Sequence, residues 1–188
     1  MNPRADALGL LKADHRQIKK LFGNFKSHCI RNASGKEKRA VALQICDALN
    51  LHAQLEEELF YPKVRAAISE GALMDEALVE HTVADDLIVQ ISIMHPLEPL
   101  YDARVIVLGE IVNHHIEEEE SDVFPAASSA GLDLEELATQ MTRRRKEIVE
   151  ALVRERSSGR FSRNARGAAL RRASDEVCPT VEVPGIFA

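Results

Sequence analysis

The chain has 188 residues, a net charge of −6 and 45% hydrophobic residues, rich in Ala, Leu, Glu and Arg with no Trp, which suits one helical domain, or one domain with a tail. No apolar run approaches the ~20 residues that span a bilayer, and residues 1–12 lack the hydrophobic segment of a signal peptide, so the expected location is cytoplasmic with no membrane partner. Cys29, Cys46 and Cys178 are odd in number and scattered, which argues against a disulfide framework and a structural zinc site and leaves them as free thiols.

Apolar spacing predicts five helices. The first covers about 5–29, where Leu8, Leu11, His15, Ile18, Phe22 and Phe25 recur at steps of three and four, and Asn32-Ala-Ser-Gly35 ends it. The second covers about 36–70, bent near Pro62, with Ile45, Leu49, His52, Leu55, Glu56 and Leu59 inward. The third covers about 73–94 and stops at His95-Pro-Leu-Glu-Pro99. The fourth covers about 100–121, with Leu108, Ile111, Val112, His115 and Glu119 inward. Asp133 is a candidate N-cap for a fifth helix over about 133–156, whose stripe of Leu134, Leu137, Met141, Ile148 and Leu152 suits docking outside a bundle. Beyond Ser157 the pattern dissolves, and Arg154 to Arg172 holds seven arginines and one acid. The expected organisation is a bundle with its docking helix over 1–156 and a flexible basic tail over 157–188, which could contact an acidic partner or nucleic acid.

One pattern occurs twice. His52-Ala-Gln-Leu-Glu56 runs on to Phe60-Tyr61-Pro62, and 63 residues later His115-Ile-Glu-Glu-Glu119 runs on to Val123-Phe124-Pro125. Each copy is preceded by an acid-His pair, Asp14-His15 in the first half and Glu80-His81 in the second. A duplicated helical hairpin makes an all-α, up-down-up-down four-helix bundle with pseudo-two-fold symmetry. A His and a Glu four apart share a helix face. Four imidazoles and two carboxylates on apolar stripes would cost several kcal/mol per charged group if buried unpartnered, a cost that metal coordination removes. The candidate ligands are His15, His52, Glu56, His81, His115 and Glu119. His114 and Glu118 are also four apart, but the alignment on Pro125 and the Leu108-Ile111-Val112 stripe select His115 and Glu119. Asp85, one turn after His81, is a possible further ligand or outer acceptor, whereas its counterpart Lys19 cannot ligate while protonated. His28 and His95 lie outside this constellation, and Tyr61 is the one core-adjacent candidate for a proton donor, although it is expected to pack at the bundle end.

These motifs, in this order, resemble the hemerythrin-like, His-His-Glu cation-binding family over roughly residues 5–155. The resemblance implies a non-haem centre of two iron ions, bridged by Glu56 and Glu119 and by an oxo or hydroxo group. It also implies a small diatomic or peroxide ligand. Oxygen carriers of the family place two histidines one turn apart on the third helix; here Asp85 stands second, and four His with two Glu is closer to the redox and iron-repair branch. Three functions follow as expectations: binding or sensing of dioxygen, nitric oxide or a related oxidant; turnover of peroxide or nitric oxide, or donation of iron; and an iron-dependent fold whose tail contacts a partner.

Overall fold

The computed structural model describes residues 6–68 and 71–157. The chain divides into a unit Met1–Leu152 and a unit Val153–Ala188; of the second, only the helical residues 153–157 are described, so the expected tail lies outside the described residues. Among the described residues no helix is long and apolar enough to cross a membrane.

Four long helices form the bundle: α1 (Ala7–Ile30), α2 (Gly35–Leu55), α4 (Gly71–Ile93) and α5 (Tyr101–Glu118). α1 packs on α2 and α5, and α4 packs on the same two, the square of an up-down-up-down bundle. Caps set the starts. Asp6 accepts from Gly9 N at 2.7 Å before α1, and Ser34 and Glu37 form a reciprocal capping box before α2. Arg39 of α2 donates to the carbonyls of Met94 and Ser92 at the C-terminal end of α4.

The second predicted helix, expected to bend near Pro62, and the fourth, expected to end near 121, each pass through a π turn into a further short helix. After Leu55 the backbone widens into a π turn, Glu56–Phe60, before α3 (Tyr61–Ala67). After Glu118 a second π turn, Glu119–Val123, precedes α6 (Phe124–Ser129). Proline supplies the reason. It has no N–H to close an α turn, and its ring clashes with the carbonyl four residues back. The residue before each proline instead bonds five back, Tyr61 N to Glu56 O and Phe124 N to Glu119 O, and the wider turn gives the ring room.

α7 (Leu134–Ser157) starts at Asp133, whose Oδ1 accepts from Glu136 N at 2.9 Å. Leu137, Met141 and Ile148 are buried in an apolar cluster with Leu11, Leu55, Phe60 and Phe124. A second cluster, holding Ile18, Phe22, Ile45, Ile88 and Leu108, fills the other end of the bundle. A polar layer lies between the two.

Candidate metal centre

That layer is made of His15 from α1, His52 from α2, His81 from α4, His115 from α5, and Glu56 and Glu119 at the start of the two π turns. All six are buried; Glu56 is 0% exposed and Glu119 1%. These are the six residues that the repeated pattern singles out, and the fold brings them together as two groups that share one carboxylate. His15, His52, Glu56 and Glu119 form one group, and Glu56, His81 and His115 form the other.

The pairing of contacts, though not each distance, follows the pseudo-two-fold. Glu56 Oε1 is 3.0 Å from His52 Nε2 and its Oε2 is 3.6 Å from His81 Nε2. Glu119 Oε2 is 3.2 Å from His15 Nε2 and 3.6 Å from His115 Nε2. The ring centroids of His15 and His52 are 4.9 Å apart, and those of His81 and His115 are 4.7 Å apart.

Outward from the centre stands a ring of acids. His15 Nδ1 donates to Glu120, His81 Nδ1 to Glu57 and His115 Nδ1 to Glu80, each at 2.8 Å. The fourth pair is looser, with His52 Nδ1 3.6 Å from Asp14 Oδ2. Asp14 is held instead by a two-pronged guanidinium contact from Arg145 of α7, at 2.9 and 2.5 Å. Burial pushes the Asp14 carboxyl up, yet His52 and Arg145 outweigh it and leave it below its usual range. Burial likewise disfavours the charged form of His52, but Glu56, Asp14 and Glu119 outweigh it and raise its pKa to about 10. Glu56 is driven well below the carboxylate range because His52, His81 and His115 overcome its desolvation.

This donor set fits a cation. Six buried atoms of this donor set have no hydrogen-bond partner among the described residues: Nε2 of His15, both ring nitrogens of His52, both oxygens of Glu56 and Oε2 of Glu119. Buried polar atoms left so are costly, and most of these point at the middle of the site. A histidine that donates one ring N–H to a carboxylate turns the other nitrogen's lone pair inward, the arrangement that orients imidazole ligands.

The neighbouring residues sort as follows. His114 is 62% exposed and meets Glu118 at 3.2 Å on the surface, as its helix face suggests. Asp85 belongs to neither of the two buried groups; it lines a cavity beside His81. His28 and His95 bond locally, within their own helix end and loop. Tyr61 departs from expectation. It points into the site, and its hydroxyl donates to Glu119 Oε1 at 3.0 Å, 3.4 Å from His81 Nε2 and 3.5 Å from His115 Nε2. Burial, Glu56 and Glu119 push its pKa well above the ordinary value, so it keeps its proton. Its counterpart Phe124 stacks on His15, centroids 5.6 Å apart. The acids Glu57 and Glu120 were missed as functional; their place directly after Glu56 and Glu119 was the available signal.

An all-α bundle with duplicated His-x3-Glu pairs converging on a buried polar layer defines a helical cation-binding protein. Residues 6–127 match the hemerythrin HHE cation binding domain, and the chain belongs to that family. It is similar to a crystal structure of a hemerythrin HHE cation binding domain-containing protein from Mycobacterium kansasii, with TM-score 0.67 and 27% identity over 82% of this chain and 94% of that one. It is also 31% identical over 117 residues to a DNA nickase of Nostoc sp. strain PCC 7120. That match covers 62% of this chain and 32% of the relative, so the chain spans about a third of the curated protein's length.

Proposed function

We propose that the centre holds two iron ions and that the protein binds or senses dioxygen, nitric oxide or a related small oxidant. In this reading His15 and His52 hold one ion with Glu56 and Glu119, and His81 and His115 hold the other with Glu56. The observation that carries it is Glu56: one carboxylate, wholly buried, whose two oxygens face histidines of the two different pairs at 3.0 and 3.6 Å. Imidazole and carboxylate suit iron, though manganese and zinc accept the same donors. When bound, iron supplies redox chemistry and open positions for an exogenous ligand.

The chain's own residues do the rest. The outer acids fix each imidazole's tautomer, and the two apolar clusters exclude water from both ends. Tyr61 holds a proton at its hydroxyl within reach of Glu119, His81 and His115, where it can donate to a bound oxidant. That hydroxyl also supports the alternative reading, an oxidoreductase or iron-centre repair protein acting on peroxide or nitric oxide damage.

Glu56→Ala tests the assignment directly. It should lose at least one of two cations per chain by elemental analysis; a variant that still carries two would refute Glu56 as the shared ligand. A second reading, contact with DNA, draws on the name of the Nostoc relative and on the seven arginines of 154–172. Truncation after Ser157 should abolish salt-sensitive DNA binding while leaving cation content unchanged, and binding that survives truncation would remove the tail from that role.

A further inference from the structure

The second half of the repeat carries a further His-x3-Glu pair. His114 and Glu118 stand one residue ahead of His115 and Glu119, a rotation of about 100° around α5, so one stretch of helix offers one pair to the buried layer and another to the surface. Glu80 of α4 serves both pairs. Its Oε2 accepts from His115 Nδ1 at 2.8 Å. Its Oε1 is 3.8 Å from His114 Nε2, which is 3.2 Å from Glu118 Oε1. One donor atom from each of Glu80, His114 and Glu118 lies within 4.8 Å of the other two. Donors held by a common ion lie roughly 3.0–3.5 Å apart, given bonds of about 2.1 Å. His114 and Glu118 already stand at that spacing, and Glu80 needs only a small shift to join them.

The first half holds something different at the equivalent place. Leu51 and Leu55, 63 positions earlier, stand where His114 and Glu118 do, and both belong to the apolar cluster that includes Leu137, Met141 and Ile148 of α7. The counterpart of Glu80 is Asp14, the acid before the histidine, and Arg145 of α7 neutralises it. Among the described residues Glu80 pairs with two histidines, His114 and His115, and with no arginine or lysine. Exposure to solvent explains why polar residues replace the two leucines. It does not explain two carboxylates around a neutral imidazole, which leave two negative charges where the first half has an acid and an arginine. Glu110, exposed one turn before His114, adds to that negative field.

We propose that Glu80, His114 and Glu118 form a separate, outer site that takes one divalent transition-metal ion from solvent. An imidazole with two carboxylates suits such an ion better than calcium or magnesium, which take oxygen donors. Water completes the coordination, since His114 is exposed and the two glutamates are half-buried. An ion held this way is lost on gel filtration against a weak chelator, which leaves ions of the buried layer in place. Glu80 joins the two levels: the carboxylate that would bind the outer ion through one oxygen orients His115 through the other. The outer site stands on its own three residues, whatever the buried layer holds.

The test titrates zinc into the full chain, its buried layer already saturated with zinc, and into His114→Ala and Glu118→Gln treated alike. By equilibrium dialysis the wild-type chain should take up one further zinc, and each variant should bind that ion about ten-fold or more weakly with the content of the buried layer unchanged. The His114 ring protons should shift with the further zinc in the wild-type chain and stay in place in Glu118→Gln. Equal zinc uptake by the three chains, or a further zinc that leaves the His114 ring signals unmoved, would overturn the proposal and reduce the cluster to a surface ion pair. A buried layer that takes no zinc would count against the inner centre instead, because the difference between wild type and variants still reads the outer site.

Discussion

At the residue scale the centre is a balance of buried charges that depends on pH. In the metal-free protein His52 has its pKa raised from 6.5 to about 10 by Glu56, Asp14 and Glu119 against its own burial. Its contribution to stability is complete below its unfolded pKa and is lost as pH rises through the folded value. Glu56 lies below its unfolded value of 4.5, so its contribution is complete above that pH and lost on acidification. The metal-free protein should accordingly be most stable between these limits, and its melting temperature should fall as pH rises from 6.5 to 10. Cation binding needs His52 without its proton, so adding ferrous ion to weakly buffered metal-free protein should release protons at neutral pH. A melting temperature that rises through this window would contradict the account. Tyr61→Phe copies the Phe124 side; it should cost about 1 kcal/mol for the lost hydrogen bond to Glu119 and keep the cations, as denaturant melts and elemental analysis would show. Loss of cations in this variant would make Tyr61 a ligand rather than a donor.

Four of the six central residues are legible at this scale because His-x3-Glu needs only helix periodicity, and His15 and His81 follow from the acid-His pair that precedes each copy. Their outer partners are not. His15 pairs with Glu120, 105 residues away, and His81 with Glu57, 24 away; such pairings exist only once the hairpins have docked.

At the element scale the π turns decide which side chains enter the site. Tyr61 lies nine residues after His52, which in a continuous α-helix is about 180° away from it and points outward. One extra residue in the turn carries Tyr61 back by about 100° toward the centre. A bend near Pro62 without the extra residue leaves Tyr61 off the centre, and the sequence reading accordingly expects it at the bundle end. The position of the proline was the visible clue, but its effect on phase required the backbone. The helices themselves were legible to within a residue or two at most ends, since capping residues such as Ser34 and Asp133 mark them. α7 contributes beyond its apolar stripe. Arg145→Ala removes a partly buried two-pronged contact to Asp14 and should lower stability by about 1–2 kcal/mol without changing the cation count. An unchanged melting temperature would mean that α7 is not anchored there. Gly109→Ala should cost about 1–3 kcal/mol by thermal melting, because the added methyl meets Phe22; a stabilised variant would show that Phe22 yields freely.

At the scale of the whole molecule, a duplicated hairpin supplies two pairs of histidines and two glutamates, and small departures from symmetry distinguish the halves. Duplication explains why so much of the fold could be read ahead of the structure: each half predicts the other. The same logic hides those departures, since Ala84 against Ile18 reads as two ordinary core residues until the cavity beside Ala84 is seen. The central claim is that this layer holds a two-iron centre which meets a small oxidant. It is tested most directly by the iron content of the purified full chain, together with its optical spectrum before and after oxygen is added to the reduced protein. About two irons per chain and an absorption band that appears with oxygen are the results expected for paired imidazole–carboxylate positions. No iron, or a single cation per chain, would contradict the account.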